Sequence, residues 1–467
     1  MRNVFLFFLL IFANQVNAQL PLKLPAIISN HAVLQQSSKV KLWGWGPGSH
    51  RLAIVSSWDF SDTLFVQIGT DCTWETMLKT PAAGGGYNIQ FLVAKQKVVI
   101  DDILTGEVWL CGGQSNMAWN VASGILDAGN ALETCYNKEI RFFEVNRDYD
   151  KYPHSDCSGE WKICDASTMP LFSAVGYFFG RQIQSSLKVP VGLIASVVGA
   201  TPIQSWVPKE FFDKDTLLQK LNKGLEPNEW VAQGPSQYYN TMINPLAPYG
   251  IAGVIWYQGE SNALSSTFKS APDTYGEIFK GMITSWRSLF QRDFPFYYVL
   301  LAPFKCNGIA WALLREQQES ALAVHKTGMI SVGDLVPDVT DIHPKIKAEV
   351  GVRLANLALK EQYGFTELQP YFPKFSSLKI NKDKAIITVI SVGKLSSYGK
   401  EISSFQIAGE EKTFYPAKAN VEKDGTIALV SEKVSSPVAV RYCFTNDQTP
   451  NLFDVNGLPL LPFRTDQ

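Results

Sequence analysis

The sequence predicts an α/β protein: a parallel sheet with helices on both faces, preceded and followed by all-β segments. Three observations predict it. Between about residues 105 and 365, compact apolar runs alternate with stretches of helical length, the grammar of a parallel sheet. On either side the runs are short, rich in β-formers and broken by turn residues. At 467 residues the chain is also too long for one ordinary domain.

The elements follow in order. Arg2 precedes an apolar run from Val4 to Phe12, and Val16-Asn17-Ala18 offers small residues for cleavage before Gln19. Residues 1–18 therefore read as a secretory signal peptide, since the run is much shorter than the ~20 residues a spanning helix needs. A secreted or periplasmic protein is expected, with no membrane span. Residues 19–104 read as a β domain, with strands at Val40 to Trp45, Arg51 to Ser56, Thr63 to Ile68 and Tyr87 to Val93. Ala83-Gly84-Gly85-Gly86 reads as a turn between them. Short strands at this spacing suggest a sandwich.

From 105 to 365 the expected buried strands are Glu107 to Cys111, Val189 to Val198, Ile251 to Tyr257, Phe296 to Ala302 and Met329 to Val332. Helices are expected at Ser173 to Leu187, Tyr275 to Phe290 and Trp311 to Val324. Lys345 to Gln362 is the clearest helix, with Ile346, Val350, Leu354 and Leu357 on one stripe and Pro344 suited to its first position. Residues 366–467 return to β, at Ala385 to Val389, Ser404 to Ala408, Thr426 to Leu429 and Val438 to Cys443.

Composition excludes several functions. The formal net charge is -1 with no long run of one sign, so no basic surface for nucleic acid is expected. His occurs only at 31, 50, 154, 325 and 343, and neither CxxC nor HExxH appears. No metal site and no cofactor are expected. The seven Cys are too few for a disulfide scaffold; Cys157 and Cys164, close in sequence, are the pair to test for a bridge.

Open α/β sheets place their sites beyond the carboxyl ends of the strands, so the residue after each strand matters most. Ser115 follows Glu107 to Cys111 and Gly112-Gly113-Gln114. At a strand-to-helix turn its N–H would suit a developing oxyanion; the alternative is a simple N-cap. The segment is not a G-x-S-x-G elbow, because Met117 stands where the second Gly belongs. Gly199 follows the next strand and offers an unobstructed N–H, or merely turns the chain. Gln258-Gly259-Glu260-Ser261-Asn262 follows Tyr257; Gln258 could donate to an oxyanion, and Glu260 could orient a base or cap a helix. His343, beside Asp341 in a loop before the long helix, fits a general base with its orienter, or is an ordinary surface or core histidine.

Gly113-Gln114-Ser115-Asn116-Met117, Trp256-Tyr257-Gln258-Gly259-Glu260-Ser261-Asn262 and Asp341-Ile342-His343-Pro344, in this order, resemble the sialate O-acetylesterase family of SGNH-type carbohydrate esterases. Asn30 to Gln35, Pro437 to Tyr442, Gly457-Leu458-Pro459 and Pro462 to Asp466 resemble the family's β segments, so the likeness spans nearly the whole mature chain. The resemblance implies an SGNH, flavodoxin-like three-layer hydrolase domain with β-sandwich segments on both sides. It implies a serine esterase acting on O-acetylated sialic acid or a related acetylated glycan, with Ser115 as nucleophile and His343 as general base. Ser115, Gly199 and Gln258 would form the oxyanion hole. Asp341 is the favoured acid, with Glu260 a competitor, Asn262 a further orienting candidate and a Ser–His dyad the remaining alternative, because Thr340 stands where many SGNH enzymes carry Asp. A deacetylase of xylan or another polysaccharide, or an inactive carbohydrate-binding protein, are the alternatives.

Overall fold

The computed structural model describes residues 20–223, 234–266 and 272–466. The expected signal peptide, residues 1–18, lies outside the described residues. Among those described, no helix is long and apolar enough to cross a membrane.

Strands β1 (Val33–Gln35), β2 (Lys39–Trp45), β3 (Arg51–Ser56), β4 (Asp59–Gln67), β5 (Thr73–Lys79) and β6 (Gly84–Val93) lead into the 18-residue strand β7 (Gln96–Gly113). The first half of β7 pairs with β1 and β6. Its second half is the central strand of the α/β sheet. The expected boundary at 104/105 thus falls inside one continuous strand. The Gly84-Gly85-Gly86 turn is also corrected: these residues lie in β6, where the register against β7 is irregular. A Cβ on Gly85 would sit 2.3 Å from Leu104, so glycine here lets two chains approach within a strand.

The α/β sheet continues with β8 (Asn137–Glu144), β9 (Trp161–Cys164), β10 (Val191–Val197), β11 (Gly253–Tyr257), β12 (Phe296–Val299) and β13 (Thr327–Ile330). Their order is β13-β12-β11-β7-β10-β8-β9. Every neighbouring pair is parallel except β8 with β9. This differs from the flavodoxin-like order, in which the first strand lies next to the second. Here β10 separates β7 from β8, whose other edge is taken by antiparallel β9.

Side chains alternate across this sheet. Val108, Leu110, Val254, Trp256, Phe296 and Tyr298 enter one core, whereas Trp109, Cys111, Ile255, Tyr257, Tyr297 and Val299 enter a second. That is the period-two rule applied to strands buried on both faces. The helices that bear on the site are α1 (Ser115–Ala118), α2 (Ala174–Leu187), α3 (Glu260–Leu264), α4 (Thr274–Phe290), α5 (Ala310–Glu319) and α6 (Ala348–Glu361). α4 and α5 fill the first core; α2 and α6 fill the second.

Two expectations fail locally. Helix α6 begins at Ala348, so Pro344 is not its first residue. Asp127 starts the helix instead, its carboxylate accepting from the N–H of Lys347 and of Glu349, both at 2.9 Å. This leaves 344–347 free to follow a separate path past the nucleophile turn. Cys157 and Cys164 are not bridged, and all seven Cys are free. Cys164 is buried in the second core against Cys135, while Cys157 packs against the first.

The flanking β regions differ in attachment. Val40, Leu42, Trp74 and Leu78 of β2 and β5 face Leu52, Ile54, Ile89 and Phe91 of β3 and β6, within the same core that holds α4 and α5. The C-terminal region pairs β14 (Lys374–Asn381), β15 (Lys384–Ile390), β18 (Lys418–Val421) and β19 (Ile427–Val430) in one sheet. A second sheet holds β16 (Phe405–Ala408), β17 (Tyr415–Pro416), β20 (Ala439–Tyr442) and β21 (Phe463–Arg464). The two share their own core, with Ile387, Leu429, Ile407 and Val440 inside.

Candidate active site

Three loops meet at the carboxyl ends of the central strands. Gly113 of β7 lies level with Val197 of β10 and Tyr257 of β11. The residues that follow these strands, Gln114-Ser115, Val198-Gly199 and Gln258-Gly259, are therefore brought side by side. Gly113 makes the turn possible. Its φ is +136°, and a Cβ there would lie 2.1 Å from the Tyr257 carbonyl oxygen; no other residue fits.

Ser115 opens α1, with Gln114 as the cap residue. An N-cap role for Ser115 is thereby excluded. Its Oγ lies 2.8 Å from His343 Nε2, although 228 residues separate the two in sequence. Both side chains are half-buried. As the first residue of a helix, Ser115 has a backbone N–H with no intrahelical acceptor. Gly199 lies against it: a Cβ on Gly199 would be 3.4 Å from Ser115 Cβ. The arrangement can accept a proton from Oγ and present backbone donors beside it.

The imidazole is held differently from the expectation. Asp341 does not bond the ring; its Oδ1 accepts from the His343 backbone N–H at 2.9 Å. A carboxylate two residues upstream reaches the nearby main chain more readily than the far ring nitrogen. Instead the indole of Trp119 stacks on the ring, with centroids 4.7 Å apart and planes 21° apart. Burial and the neighbouring Lys347 hold the His343 pKa below the ordinary imidazole value, with Asp341 opposing them. The ring is thus biased toward its neutral, proton-accepting form.

Gln258 reaches the site floor, but both amide hydrogens are engaged. Nε2 donates to Thr201 O at 3.1 Å and Asn262 Oδ1 at 2.7 Å, and Oε1 accepts from Tyr275 OH at 3.0 Å. A carbonyl partner fixes which end is nitrogen. Asn262 also accepts from Ile203 N–H at 2.9 Å and donates to Gln204 Oε1 at 2.9 Å. It is internal scaffolding and does not orient His343. Glu260 likewise does not reach the imidazole.

Glu260 belongs to a second group that sequence reasoning missed. It lies in α3, 2% exposed, and accepts from Asn116 Nδ2. The same Nδ2 donates to Ile342 O at 3.0 Å, and Asn116 Oδ1 accepts from Lys347 Nζ at 2.5 Å. Asn116 and Lys347 are fully buried. Desolvation lowers Lys347 to about 7 and raises Glu260, each partly offset by the other's charge. The available signal was spacing: Asn116 adjoins Ser115, and Lys347 lies four residues beyond His343.

A strand-end hydroxyl bonded to an imidazole, with a glycine loop against it, is an arrangement suited to ester hydrolysis on an α/β fold. The profile of the carbohydrate esterases termed sialic acid-specific acetylesterases matches residues 105–360, more than half the chain. The protein belongs to this family and is a carboxylic ester hydrolase acting on acetylated sugars. Sialate O-acetylesterases of Rattus norvegicus and Homo sapiens are each 26% identical to it, over 95% and 96% of this chain and 93% of either relative. A carbohydrate acetylesterase from Xanthomonas citri shares the fold with a TM-score of 0.86 at 33% identity, over 96% of this chain and 100% of that one.

Proposed function

We propose that the protein is a secreted serine esterase that removes O-acetyl groups from sialic acids, with Ser115 as nucleophile and His343 as general base. The observation that carries this reading is the 2.8 Å contact between Ser115 Oγ and His343 Nε2 at the carboxyl end of β7. Oγ attacks the acetyl carbonyl while Nε2 takes its proton. The tetrahedral intermediate expels the sugar oxygen, which recovers that proton from Nε2, leaving acetyl on Ser115. Water, deprotonated by the same imidazole, then releases acetate. The Ser115 and Gly199 N–H groups receive the oxyanion. Gln258 joins them only by giving up a bond to Thr201 or Asn262. Asp341 supports the imidazolium through its charge and by fixing the backbone of His343. Secretion rests on the Arg2 to Ala18 segment.

A wider substrate range, such as acetylated xylan, is favoured by one observation: the Xanthomonas citri relative is described only as a carbohydrate acetylesterase. Acetate release from O-acetylated sialic acid and from acetylated xylan, compared side by side, separates the readings. Faster release from sialic acid is expected. Ser115→Ala should abolish hydrolysis of p-nitrophenyl acetate in a folded protein, and retained turnover removes Ser115 as the nucleophile.

A further inference from the structure

The buried group beneath the Ser115–His343 pair joins all the loops that carry the chemistry. Asn116 is the next residue after Ser115, Ile342 the one before His343, Glu260 opens α3 beyond β11, and Lys347 precedes α6. One amide side chain connects them. Its nitrogen donates to Glu260 Oε1 and Ile342 O, and its oxygen accepts from Lys347. The amide of Asn116 therefore has both hydrogens used. The nucleophile turn and the histidine loop have no covalent link within 200 residues, yet here they are tied one residue away from each reacting atom.

We infer that Asn116, Glu260 and Lys347 are positioning residues that hold Ser115 and His343 in register for proton transfer. The inference rests on the esterase reading above and adds residues to it. None of the three touches the reacting atoms. Fixing a reacting pair from beneath leaves its upper side open to substrate, and small displacements of such a pair are costly to rate. Glu260 Oε2 has no hydrogen-bond partner among the described residues. A buried carboxylate with one oxygen unsatisfied is expensive, so Glu260 is not placed there for stability alone. The charged groups that bear on the site are Asp341 beside His343, Lys347 before α6, Glu260 in α3 and Asp127, which acts on Lys347. Of these, Lys347 opposes protonation of the imidazole.

Lys347→Met tests the inference in the full-length enzyme with p-nitrophenyl acetate. The expected result is a fall in kcat of about 10- to 100-fold with KM within about twofold, since geometry and not binding is disturbed. The acid limb of kcat/KM should also move to higher pH, because a positive charge near His343 is gone. The limb reads the charge of Lys347, and kcat on the plateau above it, at unchanged KM and Tm, reads the positioning. Asn116→Ala should lower kcat to a similar degree. If Lys347→Met does not fold, the double variant Glu260→Gln/Lys347→Met removes both buried charges together and is read the same way. Folded variants with wild-type kcat on the plateau overturn the inference. Ser115→Ala, run alongside, keeps the failures apart. An inactive Ser115→Ala with unaffected Lys347 variants sinks the positioning role alone, whereas an active Ser115→Ala sinks the esterase reading itself.

Discussion

The site has two layers built on opposite terms. Above, Ser115, His343 and Trp119 are half-buried and meet through one hydrogen bond and one ring stack. Below, Asn116, Gln258, Glu260, Asn262 and Lys347 are buried and bonded to one another or to backbone. The upper layer keeps lone pairs and N–H groups available for a substrate. The lower layer spends nearly all of its own on holding position. Substitution above should therefore cost rate alone, and substitution below should cost stability as well.

The largest contrast is between Ser115→Ala, which should abolish turnover at an unchanged Tm, and Gln258→Leu. The latter leaves Thr201 O without its amide donor and removes one bond each from Asn262 Oδ1 and Tyr275 OH in the interior. It should destabilise the fold by about 3 kcal/mol, read by denaturant unfolding. A loss of about 10²-fold in kcat with unaltered stability would instead move Gln258 into the upper layer as an oxyanion donor.

A smaller contrast lies within the upper layer. Trp119→Ala removes the stacked indole and should lower kcat/KM about tenfold, since the ring loses its packing and a face that favours the imidazolium. Asp341→Asn keeps a carbonyl for the His343 backbone N–H and deletes only charge. It should cost severalfold at most and shift the acid limb of kcat/KM further down, because Asp341 is the group that raises the His343 pKa. In the wild type that limb should lie below about 6.5, the ordinary imidazole value. A larger loss for Asp341→Asn than for Trp119→Ala would restore the carboxylate as the principal partner of the ring.

Much of the architecture was legible because buried parallel strands are continuous apolar runs. Val108 to Cys111, Val191 to Val197 and Val254 to Tyr257 could be read this way, and each points to the loop that follows it. That rule singled out Ser115, Gly199 and Gln258 as candidates, and the acid beside it in a loop singled out His343. Orientation was not legible. That Gln258 spends both hydrogens internally depends on Thr201 and Tyr275, which lie 57 and 17 residues away. Lys347 read as part of a helical stretch and not as a buried cation, since Asp127, 220 residues earlier, starts that helix. Gly84 to Gly86 read as a turn because local preference cannot see Leu104 crowding them.

The first half of β7 belongs to the N-terminal sheets and the second half carries the nucleophile turn, with no joint between. An ester hydrolase trimmed to begin at residue 105 would lose the lower part of the beam on which Ser115 is mounted, and would open the core shared with α4 and α5 to water. The N-terminal strands are thus structural foundation for the nucleophile turn of this chain. The C-terminal sheets close around a core of their own and are fastened from outside the beam, by Asn446 on the Trp311 N–H and Arg464 on Glu316.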